Sequence, residues 1–591
     1  MFLVFKMMSA SAEETLSLTV IDQNFNSSDR IVIDQEAIKR SRSNNLPQIL
    51  ASQANIVITS TNFQPNSVFV RGGDSSHVLF IVDDVPTYDA STLQKVINLG
   101  SMNVANIKRI EILKGSQSVL YGGQALSAVI KIYTIPDEFK NSGKAIIQGG
   151  DKVGDGAVGI DHQLSDNFLV AINSKYKDAK NPSPVLDSKE YYAQKTTTAD
   201  LAMVYKIDSV TRVTLKLSYS NDDNQVPTTV QPLFKAVDTK DFGFITKSFG
   251  TAAVFKKADL FSVSVSSQKN GRQLFQDAAN SPINAKTDYD YVGELLNSRF
   301  EFYLPRNQVF SGVLGATSTG EKFEESDLTN GMKSLGSNQY QGAFAKIGVQ
   351  AVPELLLVEA GYRREDGVDS YQTGLTLWKD LKLEYSTGFK APSLAQLYSA
   401  MYGNPNLRPE KSETVNLSYE AKINDNLQSS ISVFDSNYKN LFVFVAGKYE
   451  NVATTRTTGA EWSIGYGSQD LGLNYQLFLS YQEPYDSSTR TWLIKRPLRS
   501  AGAKFSHFFM GDQLSATLEF NHVGERRDRE TSSRYTTVNA YNTVALASNY
   551  KITTNTEVFA RVDNLTNQTY QQGYGYYEYG VKGRVGFQVG Y

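Results

Sequence analysis

NSVFVRGGDSSHVLFIVDDVP at residues 66–86 and IKRIEILKGSQSVLYGGQALSAVIKIYT at residues 107–134 hold four short apolar runs separated by glycine. Residues 68–70 and 78–82 are built from Val, Phe, Leu and Ile, and the turn residues Arg71-Gly72-Gly73 and Asp83-Asp84 follow them. Residues 107–113 and 128–133 form a second such pair around Lys114-Gly115 and Tyr121-Gly122-Gly123. Runs this short, β-branched and bounded by turn formers predict strands. By themselves they predict a small mixed domain rich in strands.

The rest of the chain has a different texture. From about residue 143 to residue 591, period-2 segments alternate with turns rich in Asp, Asn, Gly, Ser and Pro. In residues 211–220, Val213, Leu215, Leu217 and Tyr219 alternate with Arg212, Thr214, Lys216 and Ser218. A soluble β-sandwich would alternate in the same way. About 450 residues of this pattern exceed an ordinary sandwich, and at roughly 20 residues per strand and connection they hold about 22 strands. Near the end, Tyr579, Val581, Val585, Phe587, Val589 and Tyr591 share one face, opposite Lys582, Arg584 and Gln588.

Composition narrows the class. The 591 residues carry 33 Tyr, 31 Phe and 42 Gly but 3 Trp, which suits strands and membrane-interface girdles. No apolar run approaches the 18 or so residues of a membrane helix. A membrane protein of this kind must be a closed barrel, because only closure satisfies every strand's backbone in lipid. With no cysteine, disulfides and thiolate metal sites are excluded. The four histidines, His77, His162, His507 and His522, lack ligand spacing and read as surface or lumen residues. A net charge of -2 advertises no nucleic-acid partner. No nucleophile, acid–base pair or phosphate loop stands out, since GGDSS at 72–76 and YGG at 121–123 lack the GxxxxGK[ST] order. The chain therefore reads as not an enzyme, with no cofactor.

The motif residues carry a family resemblance. Arg71, Gly72, Glu111, Gly115, Tyr121 and Gly122, in this order and spacing, resemble the plug domain of TonB-dependent outer-membrane transporters. Ser116 replaces the family's proline, and Ser127-Ala128 its glycine pair. The stretch TGFKAPSLAQLYSAMYGNPNLRPEKSE at 387–413 resembles a barrel motif of the family, as do residues 181–194 and 562–576, all closest to its cobalamin (vitamin B12) branch. The resemblance implies an all-β membrane protein: a 22-stranded antiparallel transmembrane barrel over residues 138–591, filled by an N-terminal α+β plug over 25–137. Residues 1–12 read as a truncated or atypical signal peptide, and 13–24 as a TonB box and linker.

Further expectations follow from that resemblance. Glu14, Thr15, Leu16, Ser17, Leu18, Thr19 and Val20 would be the TonB box, adding a strand to the energising TonB-type periplasmic protein, where backbone pairing tolerates many side chains. The alternative is an N-terminal strand of the plug. Ligand would meet outward plug loops through Asn62, Gln64, Asn66, Asp74, Ser75, Ser76, Tyr88, Asp89, Ser91 and Thr92. Glu410 would reach toward the plug in a structural role. The expected function is TonB-dependent uptake of a scarce nutrient, cobalamin or a related corrinoid, by a monomer set in outer-membrane lipid. A ferric siderophore or haem is the alternative metal-chelate ligand, and a passive channel or adhesin the alternative of another class. Calcium, which that branch binds through aspartate-rich outer loops, is doubtful here. Asp151, Asp155, Asp161 and Asp166 form no dense cluster, Asp222-Asp223 is the single adjacent pair nearby, and such aspartates read as solvated turns.

Overall fold

Apolar side chains on every second residue of the long C-terminal strands point outward, and polar ones point inward. In Val368–Leu377, Ser370, Gln372 and Thr376 are buried while Tyr371 and Leu375 are exposed. In Thr211–Gln225, Leu215, Leu217 and Tyr219 are exposed while Arg212 and Thr214 are buried. This inverts a water-soluble core and is the pattern of a strand with lipid outside. The computed structural model describes residues 30–61, 64–150, 152–229, 235–239, 242–258, 260–276, 286–305, 309–531, 533–578 and 580–591. None of the described helices is long and apolar enough to cross a membrane. The crossing elements are strands.

Twenty-two of the described strands close into one antiparallel barrel. The seam is made by Ser142–Gly150, which pairs with Val153–Ser165 on one side and with Lys582–Gly590 on the other. Along that last strand Val585, Phe587, Val589 and Tyr591 face outward; Tyr579 lies outside the described residues. The wall is uneven. Leu427–Val445 and Lys448–Ser468 run 19 and 21 residues, about twice the 9–11 needed to span a bilayer. Leu514–Val523, Thr556–Asp563 and Lys582–Gly590 have 8 to 10 residues. Above these short strands, two small hairpins, Arg526–Arg529 with Tyr535–Val538 and Tyr570–Gly573 with Tyr576–Glu578, complete the rim.

Inside sits the plug. Its five-stranded sheet runs in the order Arg30–Asp34, Arg109–Lys114, Ala128–Tyr133, Val78–Val82, Val85–Pro86. The pair Val78–Val82 and Ala128–Tyr133 is parallel and the other pairings are antiparallel. The helices Gln35–Ser41 and Leu46–Ala51 start at Asp34 and Asn45, whose side chains accept from Ala37 N and Gln48 N. Each satisfies one of the orphan amides of a helix start. Leu46, Ile49 and Leu50 then join Val78, Phe80, Ile110, Ile112 and Ile130 in the plug core. The expected strands at 68–70, 78–82, 107–113 and 128–133 fall within or against observed ones, with Gln64–Val70 pairing instead to Ile56–Thr61 in a separate hairpin.

Candidate functional site

The plug is tied to the wall by buried charges. Glu461, on Lys448–Ser468, accepts from Arg71 Nε at 3.0 Å, Lys114 Nζ at 2.7 Å and Asn55 Nδ2 at 3.0 Å, and both cations are nearly inaccessible. The Arg71 fork is completed by Asn416 and Ser432 and lies over the Phe434 ring at 4.5 Å. Buried ions persist only when paired and hydrogen-bonded. Arg71 ends its strand in the left-handed region, φ 48°, and Gly72 follows at φ 74°. A Cβ on Gly72 would lie 2.3 Å from Thr457 Oγ1, so glycine is required for the approach to the wall. Gly122, φ 81°, is pressed against Arg363 in the same way.

Three further ties surround this one. His77 Nε2 lies 3.0 Å from Glu410 Oε2, which also takes Lys390 at 3.4 Å, while Glu410 Oε1 accepts from Phe442 N at 2.8 Å. Tyr88 OH and Lys95 Nζ both reach Glu321 Oε1, at 2.6 and 2.9 Å. Burial, reinforced by the Glu321 charge, pushes the Tyr88 phenol well above its usual range. Burial alone would lower Lys95, but the carboxylate outweighs it and the ammonium is held above its usual value. Nearer the extracellular side, Arg496 donates to Asp74 at 3.1 Å and to Gly72 O at 3.3 Å. Burial would raise Asp74, yet Arg496 and His77 outweigh it and hold its carboxyl well below the usual carboxylate range.

Between plug and wall, lined both by the short last strands and by strands over residues 177–272, lies a cavity of about 1020 Å³. That is at the upper end for small-molecule sites and suits a large ligand. Its lining mixes amides, among them Asn98, Asn181, Gln194, Asn224 and Asn564, and the tyrosines Tyr191, Tyr192, Tyr570 and Tyr576 with charged side chains of both signs, among them Asp89, Lys177, Asp200, Arg272, Glu578 and Lys582. Two distant stretches meet over it: the loop after Phe168–Pro182 and the hairpin Tyr570–Glu578 are joined by Tyr577 N donating to Pro184 O at 2.8 Å. From below, Gln48 of the plug donates to Asp563 at 2.7 Å.

A filled 22-stranded barrel with ion-paired plug can now be set beside known proteins. Residues 143–565 match the family "TonB dependent receptor-like, beta-barrel", and residues 23–129 match "TonB-dependent Receptor Plug Domain". The chain belongs to the TonB-dependent receptor family. This receptor is an outer-membrane protein of a transporter and receptor family, and its transport is TonB-dependent. Among similar curated proteins is the vitamin B12 transporter BtuB of Vibrio cholerae serotype O1, 25% identical over 609 residues, covering 96% of this chain and 94% of that one. The BtuB of Vibrio vulnificus is 24% identical over 531 residues, covering 86% and 82%. Among solved structures, the siderophore receptor PirA from Acinetobacter baumannii superposes with a TM-score of 0.80 at 14% identity, covering 97% of this chain and 99% of its own. The ferripyoverdine receptor of Pseudomonas aeruginosa gives 0.77 at 16%, covering 96% and 86%. At such identities these structures share the fold.

The structure distributes the expected site residues of the receptor unevenly. The segment Glu14 to Val20 and Asn62 lie outside the described residues, as do the side chains of Gln64 and Asn66. Asp89 and Thr92 line the cavity. Asp74 is about one-third exposed beside Arg496, whereas Ser75, Ser76, Tyr88 and Ser91 are buried, as are Asp89 and Thr92 behind the cavity surface. Ser75 donates to Gln94, Tyr88 to Glu321 and Ser91 to Asp89. Of the plug motif, Glu111 is buried within the plug sheet between Arg30 and Arg109, each 2.8 Å away. Tyr121 lies beneath Lys131 and Arg299, and Gly115 turns at φ 84°.

Glu410 reaches the plug as expected. Two readings are corrected. His77 is a buried tie, neither a surface residue nor one lining open lumen, because its turn is clamped against Glu410 and the Tyr438 ring. Asp155, Asp161 and Asp222 are buried, because they lie on strands and face the plug; Asp161 takes Lys108 and Ser142, and Asp222 takes Asn98 and Thr196. No group of three or more potential metal ligands occurs among the described residues. The sequence reading missed Glu461, Glu321 and Arg496, whose roles depend on partners hundreds of residues away.

Proposed function

We propose that this receptor takes up cobalamin or a related corrinoid. The observation carrying this reading is that residues 181–194 and 562–576, the two stretches that resemble the cobalamin branch, both line the cavity, with Tyr577, just past the second stretch, bonded to Pro184 of the first. Amides and tyrosines in the lining, set among charged side chains of both signs, suit a bulky, amide-fringed ligand. The full-length likeness to vitamin B12 transporters supports the same substrate. Asp89 and Thr92 at the cavity and Asp74 beside Arg496 are the plug residues proposed to touch ligand, and residues 14–20 the segment proposed to recruit the energising periplasmic partner.

A second reading, a ferric siderophore, is favoured by one feature of the rim. Residues 487–498 hold Arg490, Lys495 and Arg496 and no carboxylate, and Arg527 lies 3.9 Å over the Tyr535 ring and donates to Trp492 O. Cations on aromatic faces suit an anionic chelate. Titrating the detergent-solubilised receptor with cyanocobalamin, and separately with an anionic ferric catecholate, separates the two. Saturable quenching of Tyr and Trp fluorescence by cyanocobalamin is expected. Response to the catecholate alone would overturn the corrinoid reading.

A further inference from the structure

The membrane-facing wall carries an open groove of about 450 Å³. It arises from side-chain size along two neighbouring rungs of the barrel. In one rung Ile431, Trp462, Leu479, Ala501 and His522 lie side by side across five strands. In the next, toward the extracellular ends of the last strands, Val433, Ala460, Tyr481 and Arg499 do the same. Ala460 and Ala501 are the small members of an otherwise bulky face, and they sit diagonally, so a trough opens between Trp462, Leu479 and Tyr481. Its deep end is apolar. Its outer end is cationic or polar: Arg499 is exposed, is the first residue of its strand and makes no ion pair among the described residues. His522, in the deeper rung beside Ala501, has its Nδ1 2.8 Å from Asn542. The neighbouring carboxylate, Glu483, is engaged by the Tyr481 hydroxyl.

We propose that this trough is a binding site for one anionic phosphoglycerolipid of the surrounding membrane, an acyl chain lying over Ala460 and Ala501 and the phosphate meeting Arg499. Position selects the occupant. On a lipid-facing wall an apolar trough is filled by hydrocarbon, and an exposed arginine at the outer end of that trough is free to meet a phosphate by a forked contact. A bare wall of uniform bulk would hold only the exchanging lipid annulus. Here shape and charge coincide at one place.

Native mass spectrometry of the delipidated full chain tests this with dimyristoyl phosphatidylglycerol and dimyristoyl phosphatidylcholine as probes. One phosphatidylglycerol should survive activation that strips the rest. Ala501→Phe, filling the trough, should abolish the retained lipid, and Arg499→Glu should cut the preference for phosphatidylglycerol by about fivefold, the scale of one basic residue near an anionic surface. Ala460→Leu fills the same trough from another strand, so a variant that fails to insert leaves the test standing; heat-modifiable migration checks the barrel. Equal retention in wild type and the filled variants, or an unchanged preference in Arg499→Glu, would overturn the proposal.

Discussion

Glu461 is the residue on which the plug's attachment turns. Its carboxylate pairs with two buried cations from two different plug elements, so its loss removes the anion shared by Arg71 and Lys114 from a desolvated interface. Breaking a buried pair from one side costs about 3–5 kcal/mol, mostly the penalty on the charge left behind. Glu461→Ala should therefore loosen the plug while the barrel stays closed. Faster proteolysis of the plug and leak of a large antibiotic into cells would report it, and wild-type values for both would refute the assignment. The Asp74–Arg496 tie has a defined pH window. A carboxyl depressed in the folded state adds stability above its unfolded value near 3.9, and loses it as pH falls through the lower folded value. Plug protection should thus be unchanged between pH 7 and 5 and fall only in stronger acid, a dependence that Asp74→Asn should remove. Such residues differ in how legible they are. Glu410 is embedded in a turn motif that marks it, whereas Glu461 sits in an ordinary alternating strand and gains its partners from barrel register.

At the level of elements, alternation made the strands readable because the lipid and the lumen impose opposite polarity on successive side chains. It could not locate the helices Gln35–Ser41 and Leu46–Ala51, which are too short to display a 3.6-residue period and are held by caps and by the plug core. Nor could it foresee that low strands would be topped by separate hairpins. The hairpin Tyr570–Gly573 with Tyr576–Glu578 covers the cavity and contributes its tyrosines, yet lies outside the barrel's hydrogen-bonded wall. Replacing residues 570–578 with a short Gly-Ser turn should leave heat-modifiable folding intact and weaken cyanocobalamin binding by at least about tenfold, a loss of about 1.4 kcal/mol. Undiminished affinity would place the ligand elsewhere in the lumen.

For the molecule as a whole, the ties divide the work between two surfaces of the plug. Asp89 and Thr92 line the cavity and Asp74 is held by Arg496; elsewhere the plug is clamped by Glu461, Glu410 and Glu321. Clamps of this kind make a path through the barrel depend on external work, because several buried ion pairs must be broken together and none is reached from solvent. Binding outside and opening inside are therefore separable events. Deleting residues 14–20, the segment expected to pair with the periplasmic partner, should abolish uptake of labelled cyanocobalamin by whole cells while leaving equilibrium binding to isolated outer membranes at the wild-type level. If binding were lost as well from a correctly inserted barrel, the segment would belong to the plug's own structure rather than to energy coupling. Combining the deletion with Glu461→Ala sharpens the point: a weakened clamp should let large solutes leak through passively, but it should not restore saturable uptake, since leak needs a loose plug and active transport needs a pulled one.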